Sequence, residues 1–532
     1  MTVWTPTGQS TGLWLRTECR MAQSLDVRTD SVLSWVREGI IGRTAQIPTP
    51  GGLRRKRYFD QTASGLPFGP IEDLIRDQVL PYMANTHTEA SFTGCYMTTL
   101  YREAHEKVRV ALNAGADDAV VFTGSGATGA INKLIACMGL RIPDTLQSQY
   151  GCEAKIHDSL RPLVVRSRME HHSNDLPWQE SIGITEYVGY DKQGRIDWRE
   201  LDAILSKPEH KDRAIKIGTF SAASNVTGIL ADPDDLARVM HAHGGFAFFD
   251  YAAAAPYVDI DMHPDPDDEC RKDAVFISVH KFVGGPQTPG VLAANKALFM
   301  TDVPAEPGGG TVLYTSPWAY KYLEDLEHRE EGGTPPIVQV IRAGLAFDLK
   351  EMIGTERIEA VEHHFVRRAI DAWKDDNRIR ILGDLESPRI GIVSVILDGG
   401  RLHHNLAVRL LNDLYGIQVR GGCMCAGTYG HDLLGIGQEE SEAIRCSLDE
   451  GDVAAKPGWV RCSFSPATSE GEFRVLLEAI PHIAREWRKY AKDYAMDPDT
   501  AEWHHQGDGQ RFQSLALKMP SDLAAKQGLT GK

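Results

Sequence analysis

Long hydrophobic runs are missing from this 532-residue chain. No stretch reaches the roughly eighteen uninterrupted apolar residues that a membrane-spanning helix needs, so no membrane partner is expected. Cysteine is scarce: nine residues, an odd number, lie scattered from Cys19 to Cys462. That spacing is no disulfide framework, and it leads us to expect reduced thiols and a cytoplasmic location. Positive charge is short as well, with 57 Lys+Arg against 73 Asp+Glu and a net charge of −16. Nucleic-acid affinity comes largely from Lys and Arg neutralising phosphates, so no nucleic-acid partner is expected. The basic run Arg54-Arg55-Lys56-Arg57 reads as a solvated loop before a strand. The first twenty residues lack a basic segment followed by an apolar one, so no secretory signal is expected.

What is present is ordinary for a globular protein: 42 % hydrophobic and 24 % charged residues. The length exceeds one core and points to at least two lobes. Apolar spacing predicts helices at Ser31–Ile41, Ile71–Leu80 and around Leu100–Leu112. Unalternating β-rich runs then appear between helical stretches, at Ala119–Phe122, Leu163–Arg166, Ile215–Phe220, Phe246–Phe249, Ala274–Ser278 and Gly290–Ala294. Such runs fit strands buried on both faces of a mostly parallel α/β sheet, whose ligands sit at the carboxyl ends of the strands. Beyond Pro336 a long helix to about Lys374 is expected, then a strand at Ile390–Leu397, a helix at His404–Tyr415, a strand at Trp459–Ser463 and a helix at Glu470–Ala495. This divides the chain into an extension (1–57), a large domain (58–336), a smaller α+β domain (337–496) and a poorly ordered polar tail (497–532).

Five segments carry chemistry. Gly124-Ser125-Gly126-Ala127-Thr128-Gly129 links a strand to a helix, where free backbone N–H groups favour an anion such as phosphate. Lys281 follows the Ala274 strand beside His280; a desolvated lysine there can lose its proton and form a Schiff base with an aldehyde cofactor. Asp250 ends a buried strand and needs a positive partner, for which a protonated pyridine nitrogen or a structural salt bridge would serve. His171 ends the Leu163 strand with a flat ring able to lie over a cofactor. Cys423 and Cys425 sit in a glycine-rich, mobile loop next to Arg420, where a thiolate beside positive charge suits a nucleophile. No second cysteine pair with finger-like spacing accompanies them, so no metal is expected.

In this order the segments resemble the class V aminotransferase-fold family of pyridoxal-phosphate enzymes, above all its cysteine desulfurase and selenocysteine lyase branch. The resemblance runs from YFDQTASG (Tyr58–Gly65) and NTHTEAS (Asn85–Ser91) through GSGATGAIN, EHHSNDLPW, SNVTG, DYAAA and SVHK to about Ala495. It implies a fold-type I transferase, with a large, mostly parallel sheet of the seven-stranded type and a smaller C-terminal domain. It also implies residue roles. Lys281 would hold pyridoxal 5'-phosphate covalently, Asp250 would pair with the pyridinium nitrogen, His171 would stack on the ring, and Asn225 would bond the phenolic oxygen. Ala127, Thr128, Ser278 and His280 would hold the phosphate, with Thr334 of a partner subunit in a homodimer. Arg461 would grip the substrate carboxylate, His87 and Arg420 would line the substrate side, and Cys425 would be the nucleophile.

The activity so implied is removal of sulfur or selenium from cysteine or selenocysteine, giving alanine and a cysteine persulfide, with a sulfur-acceptor protein as a further partner. Two positions depart from the desulfurase pattern: Ala253 replaces a glutamine and Thr428 a proline. The stretch Tyr429–Gly458 is unusually long, and Cys423 is a second candidate nucleophile. Epimerases, transaminases and β-lyases share the scaffold, and a cofactor-free interaction scaffold is the rival from outside enzymology.

Overall fold

In the computed structural model, residues 27–507 are described apart from His87 and residues 265–268. The central sheet has strands β1 Asp118–Thr123, β2 Leu163–Ser167, β3 Ile184–Val188, β4 Lys216–Ser221, β5 Phe246–Asp250, β6 Ala274–Ser278 and β7 Gly290–Asn295. Their order is β1-β7-β6-β5-β4-β2-β3, with β7 antiparallel to both neighbours and the other pairings parallel. Alternate residues of β1 feed two cores, Val120 and Phe122 on one face, Ala119 and Val121 on the other. Burial on both faces is why these strands read as continuous apolar runs. Edge strand β3 is different. Its ITEYV sequence is only half buried, and Glu186 takes hydrogen bonds from Lys207 and meets His210.

A smaller antiparallel sheet follows, with β8 Ile379–Ile381, β9 Ile392–Leu397, β10 Arg420–Gly422 and β11 Trp459–Ser463 in the order β8-β9-β11-β10. Helices Thr355–Trp373, His404–Tyr415 and Glu470–Ala491 bury apolar faces against it, the last starting at a Ser469/Glu472 capping box. One apolar core runs without interruption from this lobe into the large one. We propose two lobes meeting near residue 336. Residues 27–57 pack on the smaller lobe: Arg37 donates to the Thr468 carbonyl, Arg54 to that of Leu414, and the Arg57 N–H to that of Gly416.

Three expectations need correction. The helix from Val338 to Lys374 is two, Ile337–Ile353 and Thr355–Trp373, because Gly354 at φ +83° breaks the hydrogen-bond ladder. The Ile71–Leu80 helix is α-helical only over Gly69–Leu74 and continues as one wide turn, Ile75–Val79, and one tight turn, Leu80–Tyr82, with Pro81 in the latter. The tail is not uniformly irregular, since Trp503–His505 pairs with Tyr494–Met496 and Ala501 accepts from Asn405. Residues 508–532 lie outside the described residues. Among the described residues no helix is long and apolar enough to cross a membrane.

Candidate active site

Parallel strands bring their carboxyl ends to one edge, and the expected residues collect there. Asp250 is the last residue of β5, Lys281 lies three residues beyond β6, and His171 and Asn225 each lie four residues beyond β2 and β4. Burial pushes the Asp250 carboxyl up, and its Oδ1 accepts from the Ala252 N–H at 2.8 Å. Burial pushes the Lys281 amine down to about 8 against the attraction of Asp250, while Arg461 and Arg420 push it further down. His171 is driven to about 3 by burial, then by Lys281, His172 and Arg461, so its ring is neutral at any working pH. The His171 Nδ1 accepts from the Ser173 N–H at 3.1 Å, capping helix His172–Gln179 and fixing the ring.

The glycine loop forms a cradle. Helix Gly126–Cys137 starts without a side-chain cap and without acidic residues in its first turn, an arrangement that favours an anion. Ser278 Oγ accepts from the Ala127 N–H at 2.9 Å, which leaves the hydroxyl proton free to donate. Thr128 Oγ1 and Ser173 Oγ lie 2.6 Å apart. Gly126 has φ +60°, and a Cβ there would stand 2.7 Å from Ser278 Oγ and 2.8 Å from the His280 ring. The His280 imidazole is pushed down to about 4 by burial and by Lys281.

The cysteine loop is fastened to this edge rather than swinging free. Asn225 Nδ2 donates to the Met424 carbonyl at 2.7 Å, the His172 N–H to the Cys425 carbonyl at 2.7 Å, and the Gly427 N–H to His172 Nε2 at 3.0 Å. These bonds hold Met424 and Cys425 at φ +55° and +54°, a left-handed backbone that costs about 1 kcal/mol or more per residue. Cys425 is exposed and acts electrostatically on both Lys281 and Arg420, whereas Cys423 is half buried against the core.

Arg461, 4 % exposed, donates to the Asn225 carbonyl at 3.1 Å and to Asp60 at 3.2 Å, and Arg420 grips the same carboxylate. Thr334 stands apart from this cluster in an exposed loop, where its Oγ1 accepts from Asn85 at 3.3 Å. His87 lies outside the described residues. Sequence reasoning missed Asp60 and His172. Both sit inside motifs already singled out, YFDQTASG and EHHSNDLPW, next to residues that drew the notice.

A family model, aminotransferase class-V, matches residues 57–474. The chain belongs to that family. A probable cysteine desulfurase of Halalkalibacterium halodurans is 31 % identical over 378 residues, covering 69 % of this chain and 84 % of the relative. A probable cysteine desulfurase of Streptomyces coelicolor is 27 % identical over 430 residues, 80 % of this chain and 91 % of that one. Among solved structures, a cysteine desulfurase of Thermococcus onnurineus NA1 superposes with a TM-score of 0.67 at 24 % identity, over 86 % of this chain and 99 % of that one. That likeness shows that this chain's α/β fold, with its seven-stranded, mostly parallel sheet, is shared with that structure.

The residues fit the family's pyridoxal-type cofactor on independent grounds. Asn225 Oδ1 is buried without a hydrogen-bond partner, as an atom facing a ligand would be. Asp250 is a buried carboxylate whose second oxygen has no hydrogen-bond partner among the described residues, ready for a ring cation. The cradle at Gly126 is a space that even one methyl group would fill.

Proposed function

We propose that the protein is a pyridoxal 5'-phosphate enzyme that removes sulfur from L-cysteine, or selenium from selenocysteine, and releases alanine. One observation carries the reading: an exposed thiol, Cys425, is held within electrostatic reach of a buried lysine whose amine is pushed down to about 8. The relatives named as cysteine desulfurases support it.

When bound, the cofactor supplies an electron sink for charge developing at the substrate α-carbon. The chain's own residues do the rest. Lys281 would hold the cofactor and would move a proton at the substrate α-carbon. Asp250 would pair with the ring nitrogen and keep it protonated. The neutral His171 ring would stack on the cofactor without adding charge, and Ser278, His280 and the helix start at Gly126–Thr128 would hold its phosphate. Arg461 binds the substrate carboxylate. Cys425 thiolate attacks the substrate sulfur; a new S–S bond forms, the carbon–sulfur bond breaks, and its electron pair stays on carbon, which takes a proton to complete alanine. The persulfide left on Cys425 passes to a thiol of an acceptor protein.

A second copy of the chain is part of this proposal. Leu313, Tyr314, Trp318 and Tyr320 on one hairpin, and Phe92 at the start of helix Phe92–Ala111, are large apolar side chains left exposed. Thr334, exposed in a loop shortly beyond that hairpin, would complete the phosphate site of the second copy. Incubating the enzyme with L-cysteine and a reductant should release alanine and sulfide in equal amounts. Cys425→Ala should abolish both while leaving cofactor absorbance intact. Full activity in Cys425→Ala would refute sulfur transfer and leave proton-moving or elimination chemistry.

A further inference from the structure

Register sets Arg420 of β10 directly opposite Arg461 of β11, and like charges facing each other across a strand pair repel. Asp60 lies between them. Its Oδ1 accepts from Arg461 Nη2 at 3.2 Å and from Arg420 Nε at 3.3 Å, and its Oδ2 accepts from Arg420 Nε at 3.1 Å and Nη2 at 3.0 Å. The Asp60 residue is only 9 % exposed, and its carboxylate has no other hydrogen bond among the described residues. Two guanidiniums and one carboxylate leave a single positive charge at this place. Donors remain for one ligand group: Arg461 Nε is buried without a partner, and Arg420 Nη1 has no partner among the described residues.

We propose that Asp60 is a specificity-determining positioning residue that limits the site to amino acids carrying one carboxylate. It fills the fork of Arg420 as an internal carboxylate, so the place where a second acidic group would dock is taken. It also holds the two arginines at a fixed separation, and it leaves one uncompensated charge for the α-carboxylate. This rests on the amino-acid reading above, in which Arg461 meets the substrate carboxylate.

Calorimetric titration of the cofactor-loaded enzyme with L-alanine and with L-aspartate tests it. Wild type should favour alanine. Asp60→Asn should move the ratio of dissociation constants toward aspartate by about tenfold or more, since it removes a repulsive element and frees the fork. Asp60→Glu should keep the wild-type preference. A purely structural Asp60 would weaken both ligands by the same factor, and that result overturns the proposal. If Asp60→Asn does not fold, Arg420→Gln carries the test: with Asp60 retained and one cation gone, the ratio should move further toward alanine, and an unmoved ratio overturns the proposal. Wild type that binds neither amino acid would sink the amino-acid reading and this inference with it. Alanine binding with a fixed ratio in the variants sinks the role of Asp60 alone.

Discussion

Lys281 should become reactive far below the pH at which a free lysine does. Burial takes its amine from 10.5 down to about 8, with Asp250 pulling it up and Arg461 and Arg420 pushing it down. Attack on an aldehyde needs the neutral amine. At pH 7 about one amine in ten is neutral if its pKa is about 8, against roughly one in 3,000 for an unperturbed lysine, a gain of about 300-fold. The assay mixes protein stripped of cofactor with pyridoxal phosphate between pH 6 and 11 and follows the initial rate of covalent attachment. Borohydride reduction and mass measurement identify Lys281 as the site. The rate should rise with pH and bend near 8, while a lysine peptide run alongside bends above 10. Signs in the variants are fixed by the charges: Asp250→Asn removes an attraction for the ammonium and should lower the bend, and Arg420→Gln removes a repulsion and should raise it. A bend near 10.5, or either variant moving in the opposite direction, refutes the electrostatic account of the site.

Asp250→Asn should also retain bound cofactor but turn over about 100-fold or more slowly, roughly 3 kcal/mol of barrier, measured as alanine release under saturating substrate. Gly126→Ala should keep the fold by circular dichroism and weaken cofactor binding in equilibrium dialysis, because the new methyl group meets Ser278 and His280. Cys423→Ala should cost little, since that side chain is half buried in the core rather than exposed beside Lys281; a persulfide found by mass spectrometry on Cys423 instead of Cys425 would reverse the assignment. Burial raises the Glu170 carboxyl from 4.5 to about 7, so the folded state binds more protons than the unfolded one between these values. Glu170 therefore contributes stability that is lost as pH rises from 4.5 to 7, and the urea midpoint of Glu170→Gln relative to wild type should climb across that window.

The apolar runs of β1, β2 and β4–β7 were legible because each strand is buried on both faces, and a doubly buried strand has no polar alternation to hide it. Lys281, Asp250 and His171 were legible for a related reason: each is a polar residue delivered at the end of such a run. Strand β3 was not, since an edge strand tolerates Thr185, Glu186 and Tyr187 and loses the apolar signature. The break at Gly354 was hidden too, because the residues on both sides keep helical spacing and only the positive φ of one residue separates them.

What tertiary structure alone decided is long-range. Arg420 and Asp60 are 360 positions apart, and Arg461 and Asp60 are 401, so their shared clamp exists only once the small sheet adopts its register. The hold of Asn225 and His172 on the Met424–Cys425 backbone likewise joins segments about 200 and 250 positions distant. Local composition around Cys425 suggested a swinging loop, since glycines flank it; the hydrogen bonds that tie it down come from elsewhere in the chain. Chemistry borne by single residues at strand ends can be read along the sequence, because strand and residue are neighbours. Charge balance and loop restraint cannot, because they depend on which distant groups the fold sets face to face.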